Sequence, residues 1–269
     1  MTRAAVVQMV STNDVQANLR SAAELIKQAV AQRADLILLP ENFGFLGSHE
    51  TEKLAVAETA GAGPMQAFLA EQARQQGVWL VGGSVPVQSP EPNKLYARCL
   101  VYGPDGNCHA YYDKIHLFDV ALPGSEEQYR ESDSYVPGHT ASTVDTAAGR
   151  LGLSICYDLR FPELYRQLVS DSAEILAVPS AFTYRTGQAH WEVLLRARAV
   201  ENLCYVLAAN QGGEHPGGRK TWGSSMIVDP WGEVLACLAQ GPGVAVADID
   251  LQQLKTTRAC FPALDHRKL

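Results

Sequence analysis

Three observations predict an α/β fold with helices outside mixed sheets. Short aliphatic runs recur along the 269 residues, segments with helical patterning separate them, and the last third turns to closely spaced strands joined by tight turns. No Ser/Gly linker, charge block or low-complexity stretch interrupts the pattern. The expectation is therefore a single domain over residues 1–269.

Ala4–Met9 reads as the opening strand, followed by a helix that Asn13 or Asp14 would cap and that runs to about Arg33. Leu36–Leu39 is a four-residue aliphatic strand, and helical stretches follow near Glu50–Ala60 and Pro64–Gln76. Val78–Gly83, Lys94–Tyr102 and Gly106–Lys114 read as strands, the last two joined by the Gly103-Pro104-Asp105-Gly106 turn. The apolar run Leu151–Ile155 is a buried strand ending at Cys156, and Pro162 with Glu163 opens a helix. Then come a strand over Glu174–Pro179, a helix over Gln188–Asn202 and a strand over Cys204–Asn210. Ser224–Val228, Val234–Ala239 and Gly243–Ile249 make a late antiparallel set, turning at Asp229–Gly232. Residues 120–140 carry Pro, Gly and many polar groups, as a surface flap over a site would.

Composition narrows the function. At 46% hydrophobic residues the chain fills a sizeable core, and 19% charge is ordinary for a soluble protein. A net charge of -7 leaves no basic footprint, so nucleic acid is not an expected partner. Apolar stretches fall well short of the ~18 residues that span a bilayer, and the N-terminus lacks a signal-peptide pattern, so no membrane role is expected. The six cysteines lie far apart with no C-x-x-C pair, and Cys99, Cys204 and Cys237 sit in apolar runs as reduced core residues would. That usage suits the cytoplasm.

The chemistry centres on Cys156. A thiol at a strand-to-helix turn lies near a helix N-terminus, whose partial positive charge favours thiolate and lowers the thiol pKa. The plain alternative is a buried structural cysteine, against which the flanking Asp158, Arg160 and Glu163 argue. In Leu36-Ile37-Leu38-Leu39-Pro40-Glu41, a carboxylate lies just past a strand, and in Tyr111-Tyr112-Asp113-Lys114-Ile115 an ammonium does the same. Catalytic groups of α/β proteins gather outside the carboxyl ends of strands, so the three could share one crevice. Taken singly, Glu41 also reads as a loop acid and Lys114 as a surface lysine. Other constellations are poorly supported. Ser154 lies in no G-x-S-x-G pattern, His116 and His190 lack a recognisable orienting partner, and seven histidines without ligand spacing do not make a metal site.

Together, the segments around Glu41, Lys114 and Cys156, in that order, resemble the nitrilase superfamily of carbon–nitrogen hydrolases, and the resemblance extends to Asp265-His266-Arg267. It implies an α-β-β-α sandwich, commonly paired as a homodimer, with a Glu-Lys-Cys catalytic set and no cofactor or metal. In that chemistry a Cys156 thiolate attacks an amide carbonyl, a thioester forms as the amine leaves, and water hydrolyses it. Glu41 is the expected base, provided an apolar wall raises its pKa towards neutrality. Lys114 and the Tyr157 backbone N–H would stabilise the oxyanion, at about 3 kcal/mol per donor. The resemblance also assigns Glu131 to positioning Lys114 and the substrate, and Phe182, Thr186 and Arg160 to the pocket lining. Arg160 reads equally as a fork for a substrate carboxylate and as an internal salt bridge to Asp158 or Glu163, and Phe182 equally as a core residue.

The segments Ala189–Ala199, Gln211-Gly212-Gly213 and His266-Arg267-Lys268 look like the branch that hydrolyses deaminated glutathione to α-ketoglutarate and cysteinylglycine. Ser224 stands where relatives carry His, which bears on pocket detail. ω-Amidase action on α-ketoglutaramate is the close alternative. Nitrile hydrolysis and a non-catalytic interaction role are more distant ones.

Overall fold

The computed structural model describes residues 2–121 and 128–268. The chain runs β1 (Thr2–Gln8), α1 (Val15–Ala31), β2 (Leu36–Leu38), α2 (Pro64–Gln76), β3 (Trp79–Gln88), β4 (Leu95–Tyr102) and β5 (Cys108–Asp113). A short ribbon of β6 (Asp119–Ala121) and β7 (Gln128–Arg130) follows, then β8 (Thr143–Thr146), β9 (Gly149–Leu153), α3 (Pro162–Ser170) and β10 (Ile175–Ala177). The remainder is α4 (Tyr184–Asn202), β11 (Tyr205–Ala208), β12 (Met226–Val228), β13 (Val234–Cys237), β14 (Gly243–Ile249) and α5 (Leu251–Cys260).

Two six-stranded sheets result, ordered β14-β1-β2-β3-β4-β5 and β13-β12-β11-β10-β9-β8. Each is built on three parallel strands, β1-β2-β3 in one and β9-β10-β11 in the other, flanked by antiparallel neighbours. Period-2 alternation explains the layering. Ala5, Val7, Ile37 and Leu80 pack against Leu25 and Ile26 of α1 and Met65 and Leu69 of α2, while Ala4, Val6, Leu36 and Leu38 belong to a cluster shared with the other sheet. On that sheet a Cβ at Gly152 would lie 3.2 Å from Leu168 of α3, so Gly152 faces the helix and its neighbours Leu151 and Leu153 turn inward. Helices α3 and α4 close the outer face through Leu164, Leu168, Trp191 and Leu195. The layers are therefore α-β-β-α, as the resemblance implied.

Local signals place the ends. Asp14 caps α1, its Oδ1 accepting the Ala17 N–H at 2.9 Å, a contact worth about 1 kcal/mol. Pro64 opens α2, and Gly77, at φ 66°, ends it.

Several expectations change. The helix near Glu50–Ala60 is a 3-10 turn over Glu50–Val56, the strand from Val78 continues to Gln88, and α4 begins at Tyr184. Cys237 is exposed, because edge strand β13 alternates half-buried and exposed residues, whereas Cys99 and Cys204 are buried. The flap read at 120–140 is in part the β6–β7 ribbon, and its residues 122–127 lie outside the described ones.

Candidate active site

Glu41 follows β2 at its carboxyl end. The chain turns there with Asn42 at φ 60°, its N–H held by Ser84 Oγ at 2.9 Å. Gly83 makes the turn possible: a Cβ there would sit 2.0 Å from the Pro40 carbonyl oxygen, so no side chain fits. From the second sheet, Gln211 Nε2 donates to the Glu41 carbonyl at 3.0 Å. The carboxylate is buried; Oε1 accepts from Lys114 Nζ at 2.9 Å and Oε2 from the Ala181 N–H at 2.8 Å.

Lys114 follows β5 and is only 2% exposed. Its N–H donates to Ala97 and its carbonyl accepts from Gly138, which fixes the side chain's root. Besides Glu41, Nζ reaches both oxygens of buried Glu131 at 2.9 and 2.8 Å. Glu131 is itself oriented by the Phe118 N–H, at 2.7 Å.

Cys156 follows β9 with φ 48°, a left-handed conformation that costs a non-glycine residue about 1 kcal/mol or more. Its N–H is bound to the Pro179 carbonyl beyond β10 (2.9 Å). It opens a 3-10 turn, Cys156–Arg160, whose first bond runs from the Asp158 N–H to the Ile155 carbonyl. The Tyr157 amide precedes that bond, so it has no acceptor within the turn. Fully buried Asp158 ties the turn to the Lys114 segment. Its carboxylate accepts from the Ile155 N–H (2.8 Å), Tyr112 OH (2.8 Å) and the His116 N–H (3.1 Å), and pairs with His116 Nδ1 (2.7 Å). His116 is thereby a structural partner of Asp158. Ser154 is buried between Tyr165 OH and the Ala177 carbonyl.

One narrow pocket, with room of about 30 Å³ between its walls, gathers these groups. Glu41, Lys114, Glu131 and Cys156 share its wall with Tyr157, Arg160, Phe182 and Thr186, so every residue read from the sequence comes together. Arg160 makes no ion pair to Asp158 or Glu163. Its guanidinium contacts His190 Nδ1 at 3.2 Å and lies 5.2 Å from the Phe182 ring, and among the described residues no carboxylate neutralises it. Phe182 is both core and lining, packed against Trp191. Thr186 shares a hydroxyl bond with Thr183 (2.7 Å). Ser224 takes a structural place, its carbonyl accepting from Trp191 Nε1 at 2.8 Å.

The ionisation states differ from the sequence expectation. Burial pushes the Glu41 carboxyl up, but the Lys114 charge and hydrogen bond, helped by Lys53, bring it below its ordinary value. Burial and then Glu41 push the Cys156 thiol up, against Lys114 and the Ala181 N–H. The lowering expected from a helix N-terminus does not prevail, because Cys156 opens a single 3-10 turn ahead of α3 and carries a carboxylate at its thiol. Lys114 is held charged: burial opposes this, but Glu131 and Glu41 outweigh it. Glu131 is the acid raised, by burial and by the charges of Glu41 and Glu50 against that of Lys114. The pocket thus rests as a neutral thiol facing a carboxylate beside an ammonium.

The sequence reading missed Glu50, Lys53 and Arg219, which also line the pocket. Buried Lys53 pairs with Glu50 at 2.5 Å, and Arg219 with Glu50 at 3.1 Å. The i,i+3 spacing of Glu50 and Lys53 was a usable signal, whereas nothing local to Arg219 pointed here. Among the described residues, no group of three or more His, Cys, Asp or Glu is arranged to hold a metal ion, and no helix is long and apolar enough to cross a membrane.

Known proteins resemble this chain in sequence and fold. The carbon–nitrogen hydrolase family model matches residues 3–259. The chain is 46% identical over 267 residues to the deaminated glutathione amidase of Synechocystis sp., covering 98% of this chain and 97% of that protein. It is 43% identical over 268 residues to the human deaminated glutathione amidase, covering 98% and 81%. The crystal structure of Saccharomyces cerevisiae Nit3, a member of branch 10 of the nitrilase superfamily, matches with a TM-score of 0.88 at 30% identity, over 100% of this chain and 97% of that one. With a family match over nearly its whole length and the sandwich of that superfamily, this chain belongs to the carbon–nitrogen hydrolases.

Proposed function

We propose that this protein, as one catalytic domain over residues 1–269, is a thiol-dependent amidase that hydrolyses deaminated glutathione to α-ketoglutarate and cysteinylglycine. The observation that carries the reading is the pocket in which the Cys156 thiol, the Glu41 carboxylate and the Lys114 ammonium meet, with Arg160 lining the same pocket. The 42–46% identity to enzymes named for that substrate supports the choice of amide.

Glu41 accepts the thiol proton as the Cys156 sulfur bonds to the amide carbon. The carbonyl oxygen gains the negative charge, and Lys114 with the Tyr157 N–H stabilises it. As the C–N bond breaks, its electron pair stays on nitrogen, which takes the proton from Glu41 and leaves as the amine. Water then gives a proton to Glu41 and attacks the thioester carbon. The C–S bond breaks, and the sulfur recovers that proton. Glu131 holds Lys114 in place, Arg160 receives the substrate's carboxylate through its fork, and Phe182 and Thr186 shape the acyl site. No cofactor takes part in these steps.

We also infer a cytoplasmic homodimer. Six free cysteines, three of them exposed, suit a reducing compartment. Exposed Val193 and Val200 on α4 and the exposed Trp231–Phe261 pair supply apolar surface for a second copy. The test of function is product release from deaminated glutathione and from α-ketoglutaramate, side by side, with Cys156→Ala as control. A kcat/KM at least tenfold higher for deaminated glutathione is expected. The reverse preference makes the protein an ω-amidase, and turnover of neither overturns the reading.

A further inference from the structure

Next to the reaction pocket lies a second, wider cavity of about 580 Å³, and Glu50, Tyr129 and Arg219 belong to the walls of both. Exposed Arg130, Arg185 and Lys220 line it among neutral residues such as Ser48, Gln128 and Tyr184. Glu50 is the one acid among the described lining residues, and its charge is already matched. Burial opposes its ionisation, but Lys53 and Arg219 hold its carboxyl down to about 2. Lys220 pairs with Glu214 at 3.4 Å, a solvated contact of little strength. Among the described residues that line the cavity, Arg130, Arg219 and Lys220 outweigh Glu50 in charge.

Arg219 stands at the junction. Its Nη1 donates to Glu50 at 3.1 Å and its guanidinium lies 5.4 Å from the Tyr129 ring. Its Nε–H is buried with no hydrogen-bond partner among the described residues. A buried donor left unmade is costly, and a ligand oxygen that reaches it removes the cost. Arg160 lines the reaction pocket alone, whereas Arg219 lines both cavities. An amide whose acyl carboxylate sits at Arg160 and whose carbonyl meets Cys156 extends its amine half away from Arg160. Ammonia as the leaving group would need no such space.

We propose that the outer cavity is a leaving-group subsite selecting amines that carry a carboxylate, with Arg219 as the specificity-determining residue at its neck and Arg130 and Lys220 supplying the attractive field. The proposal rests on the amidase reading and adds to it the place and the residues that recognise the amine half, a short peptide with a free C-terminal carboxylate.

The experiment compares three substrates: deaminated glutathione, the same molecule with its glycine carboxylate converted to a carboxamide, and α-ketoglutaramate. For the unaltered protein, kcat/KM is expected to be about tenfold or more higher for the free acid than for the carboxamide, with the ratio shrinking as salt rises. In Arg219→Gln the ratio should fall towards one. The double variant Arg130→Gln/Lys220→Gln changes only exposed side chains and should lower the ratio in the same direction, so the proposal does not depend on Arg219→Gln folding. A ratio near one in the unaltered protein overturns the subsite while leaving the amidase standing, as does a ratio untouched in the double variant and in a folded Arg219→Gln. Turnover of none of the three substrates overturns the amidase reading and the subsite together.

Discussion

In the proposed mechanism, replacing Glu41 by Gln removes the proton acceptor and also the charge that keeps the Cys156 proton in place. Turnover should fall by about 10²–10⁴-fold, the usual loss for a general base. At the same time the thiol should become more acidic. After burial, the Glu41 charge is the largest cause of the thiol's raised pKa. A unit charge at about 4 Å in an effective dielectric of about 20 is worth ~4 kcal/mol, which corresponds to about 3 pH units. Lys114 remains paired to Glu131 at 2.8 Å, so the ammonium stays to stabilise a thiolate. The assay is the pH dependence of iodoacetamide alkylation and of thiolate ultraviolet absorbance, with Cys156→Ala subtracted. Wild type should show its thiolate only at alkaline pH, and Glu41→Gln should show it at distinctly lower pH while being nearly inactive. A wild-type thiol that already ionises near neutrality, or a midpoint in Glu41→Gln that stays put or rises, would refute the reasoning and restore a preformed thiolate–ammonium pair.

Lys114→Met should cut kcat at least a hundredfold and lower stability by about 3–5 kcal/mol, because Glu41 and Glu131 would share a buried site without their cation. A raised KM with kcat intact would move Lys114 from the oxyanion to binding. Arg160→Lys keeps the charge but loses the planar fork, so KM for a carboxylate-bearing amide should rise about tenfold while a neutral amide is unaffected; equal losses on both would assign Arg160 to the scaffold. Glu50 has a folded pKa of about 2 against 4.5 ordinarily, so its stabilisation is complete above pH 4.5 and is lost as pH falls towards 2. The loss amounts to roughly 3 kcal/mol. Denaturant titrations at neutral pH and near pH 3 should show a steeper acid decline for wild type than for Glu50→Gln, and parallel declines would show that the ion cluster contributes nothing.

What was legible in the sequence follows from burial. Leu36–Leu38 and Ile175–Ala177 are covered on both faces and read as unbroken aliphatic runs. Elements with one covered face or none left weaker traces. Strand β8, Thr-Val-Asp-Thr, is a half-exposed edge, and α5 buries only Leu254, so neither announced itself by period. The apolar letters of β13 suggested a core strand, yet at an edge their alternate positions meet solvent. The catalytic candidates were readable because each follows a strand whose carboxyl end opens into the same crevice. Glu50 and Lys53 come from a 3-10 turn and Arg219 from a loop 169 residues beyond Glu50, and no local rule joins them.

Placement was legible where ionisation was not, for a physical reason. Strand ends fix where a side chain sits, but its pKa depends on every charge within a few ångströms, whichever segment supplies it. Read alone, Glu41 in an apolar setting should be a raised acid and Cys156 before a helix a lowered thiol. The folded chain reverses both, because Lys114 stabilises the Glu41 carboxylate and that carboxylate holds the thiol proton. The reversal suits the chemistry. A neutral thiol beside an ionised base yields its proton only as the carbonyl carbon arrives, when the developing oxyanion meets an ammonium already in place. Glu131 makes this possible, since with one carboxylate Lys114 would be committed to Glu41, whereas the second acid holds it through both of its oxygens. Glu131→Gln should therefore depress kcat more than KM and loosen Lys114. A variant with unchanged kcat would mean that Glu41 alone suffices to orient the cation.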